Sequence, residues 1–285
     1  MRRRCAAWVA ANMVCAAMSA PPAYARGALA DVPHDAQTAL VERYLHALRD
    51  ARYAAAFAML NAGARAYYQT SENFRSVFAA DAYRITAFKL VEARADGTLG
   101  RVYFARETAR YRDHAHDVDV SVTATVPVGV VPEGGAWRIK DPGHPKRAFA
   151  LHAAGQAHGL RVTVKKMSFF ARRIEAVVSF VNTGTVFVTA LPYAKSVLRD
   201  AAGQPYRLIE SRDWSLTDRT LFEGLRLAPN AQYTGTLTFA CDARDDSART
   251  FALTIAPLLD DGGDLPFSIE VDAIAAVPAG KERGE

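Results

Sequence analysis

Cysteine is scarce in this chain of 285 residues: Cys5, Cys15 and Cys241 are the only three. That supply is too small for a disulfide framework, and neither a Cys-X-X-Cys redox pair nor a cysteine-histidine zinc ribbon occurs. The chain also lacks a Gly-X-Ser-X-Gly nucleophile elbow and a glycine-rich phosphate loop. Away from the N-terminal arginines, Lys and Arg are interspersed with Asp and Glu over much of the sequence, which argues against the clustered cationic face that nucleic acid demands. Internal repeats and low-complexity tracts are missing as well.

One extended apolar stretch is present, Cys5 to Ala20, broken by Asn12 and Ser19. It falls short of the roughly 20 residues that span a bilayer. Arg2, Arg3 and Arg4 precede it, Pro21 and Pro22 end it, and Ala23-Tyr24-Ala25 places small residues where a signal peptidase reads. Residues 1–25 therefore read as a cleavable leader, with Ala28-Leu29-Ala30 a second candidate cut. The mature chain is expected in the periplasm or outside the cell, without a transmembrane segment. Loss of the three arginines lowers the formal charge from +5 to +2. Cys241 then becomes the only thiol, and its setting in Thr238-Phe239-Ala240-Cys241 reads as a strand that buries it.

About 260 residues remain, more than one typical module, and the hydrophobic pattern changes near the middle. In the first half, Leu40, Val41, Tyr44, Leu45 and Leu48 form a helical stripe after Pro33-His34-Asp35. Tyr53, Phe57 and Leu60 restart the pattern until Asn61-Ala62-Gly63 stops it. Thr70 or Ser71 caps a third helix that buries Phe74, Val77 and Phe78. From Tyr83 the period becomes two: Tyr83 to Ala93, Arg101 to Tyr111, Asp117 to Val130 and Ala136 to Lys140 read as strands, with a turn at Asp96-Gly97. Glu107 and Arg106 are neighbours on one strand and read as a solvated ion-pair ladder. His114-Ala115-His116 reads as a polar hairpin loop, because a third metal ligand at suitable spacing is not visible.

Helices first and then four antiparallel strands, with Val41-Glu42-Arg43-Tyr44-Leu45-His46-Ala47-Leu48, Tyr53-Ala54-Ala55-Ala56-Phe57 and Gly135-Ala136-Trp137-Arg138-Ile139, resemble the cone-shaped nuclear transport factor-like fold over Asp35 to Asp141. That resemblance implies a curved sheet wrapped on helices around a pocket, in a fold that hosts ketosteroid isomerases, dehydratases and many binding modules. No catalytic motif of those enzymes carries over residue by residue.

Pro142-Gly143-His144-Pro145 breaks the chain, and Ala148 to Ala157 reads as a short helix or irregular connector. Beyond it eight short strands follow: Leu160 to Phe169, Arg173 to Asn182, Val186 to Leu191, Ser196 to Asp200, Pro205 to Ile209, Tyr233 to Cys241, Arg249 to Pro257 and Leu265 to Ile274. Asn182-Thr183-Gly184 and Asp200-Ala201-Ala202-Gly203 are turns. Asp260-Asp261-Gly262-Gly263-Asp264 lacks the spacing of a calcium loop, and the loop around Trp214 is a possible partner contact. Val181-Asn182-Thr183-Gly184, Val197-Leu198-Arg199-Asp200 and Leu227-Ala228-Pro229-Asn230-Ala231 are similar to the immunoglobulin-like domain of small secreted bacterial antigens and surface lipoproteins. The resemblance implies a binding or structural role.

The expected fold class is thus an α+β cone-like module at 31–141, a linker at 142–159, an all-β immunoglobulin-like sandwich at 160–276 and a flexible tail at 277–285. The expected function is that of an exported, non-enzymatic binding or assembly protein of the bacterial envelope. Its first module holds a small ligand or an envelope partner, with Tyr44, Phe57, Tyr67, Tyr103 and Trp137 as the candidate lining and no cofactor, metal or catalytic residue. Tyr103 and Phe104 point to opposite faces of their strand, so at most one lines the pocket. The alternatives are an isomerase, dehydratase or hydrolase in the same pocket, or a structural envelope component. Export predicts that N-terminal sequencing of the mature protein begins at Arg26; an intact Met1 in the membrane fraction would turn the leader into an anchor.

Overall fold

The computed structural model describes residues 35–96, 100–140, 143–190, 195–213, 219–220, 225–241, 250–260 and 267–275. The leader, Gly97, Trp214, residues 261–264 and the 277–285 tail lie outside them. The chain forms two compact units that meet in sequence between Lys146 and Arg147, with the turn His114–Asp117 grouped with the second.

In the first unit four helices come first: α1 (Ala36–Arg49), α2 (Tyr53–Ala58), α3 (Ala62–Tyr68) and α4 (Ser71–Ala80). Asp35 starts α1 by accepting the backbone N–H groups of Gln37 and Thr38 at 3.0 and 2.9 Å, which satisfies donors that have no partner inside the helix. Thr70 does the same for α4, accepting from Asn73 N at 3.1 Å. Asn61, expected to stop a helix, instead caps α3 through Ala64 N. An Asn side chain serves either role, and here its backbone is extended, as an N-cap requires.

Strands β1 (Arg84–Asp96), β2 (Gly100–Asp113), β3 (Val118–Glu133) and β4 (Ala136–Ile139) follow as one antiparallel sheet in that order. Leu40, Val41, Tyr44, Leu45 and Leu48 of α1 pack with Phe74, Val77 and Phe78 of α4 and with Tyr103, Ala105, Val128, Val130 and Ile139 of the sheet. Backbone hydrogen bonds clamp the helices to β4: Asn61 N donates to Ile139 O at 2.8 Å, and Ile139 N donates to Met59 O at 2.9 Å.

The second unit contains β5 (Arg147–Ala157), β6 (Leu160–Phe169), β7 (Arg173–Asn182), β8 (Val188–Ala190), β9 (Val197–Asp200), β10 (Pro205–Asp213), β11 (Arg219–Thr220), β12 (Leu225–Leu227), β13 (Gln232–Ala240), β14 (Thr250–Asp260) and β15 (Phe267–Ala275). Hydrogen-bonded neighbours run β15-β14-β9-β10-β13-β7-β6-β5, all antiparallel. The two ends of this series come together where Gly155 of β5 lies against the Glu270 carbonyl of β15, with no room for a Cβ. β8 and β12 extend the sheet from the far part of β14, and β11 pairs with β10. Val162, Val178, Phe180, Leu198, Leu237, Phe239 and Leu253 fill the interior. Cys241 follows β13 and is half-buried against this core.

This architecture corrects the expected fold class. The chain is mostly strand, with helices confined to its N-terminal part and a nearly closed, eight-stranded antiparallel barrel-like sheet; it is not an α+β cone followed by an immunoglobulin-like sandwich. The main reason is β5. Ala148 to Ala157 was expected to connect, yet β5 pairs with β6 from Arg147 opposite Phe169 to Ala157 opposite Leu160. That added strand carries the sheet around to β15, whereas a sandwich leaves two separate sheets. Among the described residues no helix is long and apolar enough to cross a membrane.

The turn after β7 hangs on one fully buried side chain. Asn182 Nδ2 donates to the Val186 and Leu227 carbonyls at 2.8 and 3.1 Å, and its Oδ1 accepts from Gly184 N at 2.9 Å. Asn182→Ala removes these partners without letting water in, so urea denaturation should register a loss of about 1–3 kcal/mol.

Candidate functional site

The helix-facing side of the first sheet is set by β2. Tyr103 and Ala105 sit in the core, and the two-residue period of a strand sends Glu107, Ala109, Tyr111 and Asp113 to the same side; all six are buried. Arg106 and Arg110 stand on the outer face, exposed. Across the strand pairs, Phe88 lies opposite Glu107 and Ile85 opposite Ala109 on β1, while Ala124, Val122 and Val120 face Glu107, Ala109 and Tyr111 from β3. The helices cover this surface fully at Tyr103. Around Glu107 they leave Val120, Val122 and Ala124 half-exposed, so this part of the inner face is open on its β3 side.

Glu107 is 5 % exposed and has Tyr83 as its hydrogen-bond partner, the phenol donating to Oε2 at 3.3 Å. Tyr83 lies in the turn between α4 and β1: its N–H donates to Phe78 O at 2.8 Å, and Ala82 turns the chain with a φ of 47°. The Tyr83 ring lies 6.5 Å from Tyr111 and 6.1 Å from Phe78, which in turn stacks on Tyr53 at 5.3 Å. The Tyr111 hydroxyl, on a side chain 8 % exposed, has no hydrogen-bond partner among the described residues. His46 sets its ring against Phe88 at 4.9 Å.

Burial pushes the Glu107 carboxyl up to about 7, and the hydrogen bond from Tyr83 only partly offsets it. Burial, and then the nearby carboxyl, raises the Tyr83 phenol well above its ordinary range. Tyr111 is raised too, by burial first and then by Asp113 and Asp81. A carboxyl that is partly protonated near neutral pH can donate as well as accept a hydrogen bond, and it can transfer a proton.

Tyr44 and Tyr103 are buried in the core; Phe57, Tyr67 and Trp137 are half-buried against it. Phe57 packs on Phe74 at 6.1 Å, and the Tyr67 hydroxyl donates to His144 O at 3.2 Å. Tyr103 ties α1 to β2: its hydroxyl accepts from Thr38 Oγ1 and Arg101 Nη1, both at 3.2 Å, and faces Asp35 Oδ1 at 3.4 Å. Arg101 also pairs with Asp35 Oδ2 at 2.6 Å. Slight burial favours the neutral form of Asp35, but the Thr38 backbone N–H and Arg101 outweigh it and hold the carboxyl below its usual range. Phe104 points to the other face, under the Arg94 guanidinium.

Glu107 itself is buried, not part of a solvated ladder with Arg106. The anchor is Tyr103, which occupies the core and thereby sets the phase of every later residue on β2. The alternation of Tyr103, Ala105, Glu107, Ala109 and Tyr111 was readable as a pattern, but its inward direction was not. His114 and His116 lie in the turn between β2 and β3. Among the described residues no group of three or more His, Cys, Asp or Glu is placed to hold a metal ion.

No family model and no curated protein matches the chain. Among solved structures it is similar to the yjhA protein from Bacillus subtilis, at 16% identity over 37% of this chain and 78% of that one, with a TM-score of 0.27. It is also similar to a functionally unknown protein from Listeria monocytogenes EGD-e, at 9% identity over 70% of this chain and 92% of that one, with a TM-score of 0.25.

Glu107 makes stability depend on pH. Its folded-state value of about 7 exceeds the ordinary value of 4.5, so between these limits the folded chain holds a proton that the unfolded chain has released. Stability therefore falls as pH rises through this window and levels off above it, by about 3 kcal/mol at most. Glu107→Gln should remove that portion of the fall in urea midpoints measured from pH 4.5 to 8, and should leave the variant more stable than the parent at pH 8.

Proposed function

We propose that this chain is an exported binding protein of the bacterial envelope that holds a small molecule on the helix-facing side of β1–β3, beside Glu107. The observation that carries the reading is a buried carboxyl with one phenol partner, next to a second buried phenol whose hydroxyl has none. Burying such groups costs stability unless they are satisfied. A ligand with an apolar body and one polar group would satisfy both, with Val120, Val122 and Ala124 as the apolar wall. Export rests on the Arg2–Arg4, Cys5–Ala20 and Ala23-Tyr24-Ala25 pattern.

A second reading is favoured by the raised Glu107 carboxyl. A buried acid poised near neutrality beside a phenol suits general acid–base chemistry, which would make the same face the centre of an isomerase, dehydratase or hydrolase. The two readings differ in what Glu107→Gln does: a binder loses affinity, whereas an enzyme loses turnover and keeps its substrate.

Thermal-shift screening of the exported protein against a small-metabolite library tests the binding reading. At least one compound should raise Tm for the parent and leave Val122→Trp, which fills the open wall at a half-exposed position, unshifted. A library with no active compound, or equal shifts in both proteins, would overturn it.

A further inference from the structure

Glu107 lacks a counter-charge. Its only hydrogen-bond partner is Tyr83, and no Lys, Arg or His pairs with it among the described residues. Tyr111 stands near Asp113 and Asp81, both buried, and Tyr83 stands near Glu107. β3 contributes Val120, Val122 and Ala124 to this face, with no titratable group.

The cations in the neighbourhood are directed elsewhere. Arg106 and Arg110 of β2 are on the outer face, and Arg75 of α4 and Arg84 of β1 are exposed and act on Tyr53. His46 of α1 contacts the Phe88 ring, and His144 contacts the Phe78 ring at 5.5 Å. The Tyr83 and Tyr111 rings lie 6.5 Å apart beside the carboxyl, and Phe78 packs behind Tyr83. Aromatic faces and an uncompensated carboxylate attract the same kind of group.

Resting on the reading that this face binds a ligand, we propose that the ligand is a small organic cation: an ammonium on an apolar body, paired with the Glu107 carboxylate and donating to the free Tyr111 hydroxyl. The ammonium supplies the positive charge that the protein does not, and its N–H groups meet the acceptor that Tyr111 leaves unused. A neutral or anionic ligand would leave the ionised carboxylate uncompensated. Because the cation binds the ionised form, binding releases the Glu107 proton.

Calorimetry of the exported protein with benzylammonium, its neutral isostere ethylbenzene, and phenylacetate tests the proposal. The dissociation constant for benzylammonium should fall about tenfold from pH 6 to pH 8, as the carboxyl with a pKa of about 7 ionises. Glu107→Gln should weaken that binding at least about tenfold at pH 8 and abolish its pH dependence, and Tyr111→Phe should weaken it about two- to fivefold, with circular dichroism unchanged. Ethylbenzene or phenylacetate binding as tightly as benzylammonium, with that binding lost in Val122→Trp, would overturn the cation class and leave the binding reading standing. If none of the three binds, the cation proposal is overturned; a silent metabolite screen as well would overturn the binding reading too.

Discussion

The interior of the first unit depends on the two-residue period of β2. Once the Tyr103 ring is packed in the core and its hydroxyl is bonded to Thr38 and Arg101, every second residue as far as Asp113 must point the same way. The strand starts in a tightly packed apolar region and ends in a polar one. Small side chains at Ala105 and Ala109 flank Glu107 on the same face, and large ones at Tyr103 and Tyr111 lie beyond them. The carboxyl is held inside by its neighbours on the strand rather than by any partner of opposite charge.

A buried carboxyl without a counter-charge among the described residues is a cost to folding, met elsewhere in the unit. Asp35, Asn61 and Thr70 cap their helices, and the backbone bonds between Asn61, Met59 and Ile139 hold the helical layer to β4. With the helices fixed at that edge, they cover the inner face at Tyr103 and leave the β3 side beside Glu107 half-open. Function, on our reading, uses the group that stability alone would replace with an apolar side chain.

In the second unit, two buried polar side chains at turns are satisfied from within. Asn182 bonds three backbone groups, and Asp200 accepts from Ala202 N, Gln204 N and the Tyr206 hydroxyl. Those side chains close turns. Close approach of Gly155 to β15 brings together the ends of the strand series, which limits the exposed edges through which another chain could pair.

Local chemistry was legible in the residues themselves. The α1 stripe, the period-two run of β3 and the turn at Asp200 each depend on side chains within a few positions, so the sequence alone determined them, and it narrowed the α4 cap to Thr70 or Ser71. What lay beyond its reach depended on distant pairing. Arg147–Ala157 is a strand because β6 and β15 flank it, and its Ala-rich sequence carries no strong preference of its own. The eight-stranded closure follows from that one strand. Glu107 is the same case at the level of a side chain: alternation showed that it and Arg106 face opposite ways, but only packing of the helices on Tyr103 decided which of the two would be buried.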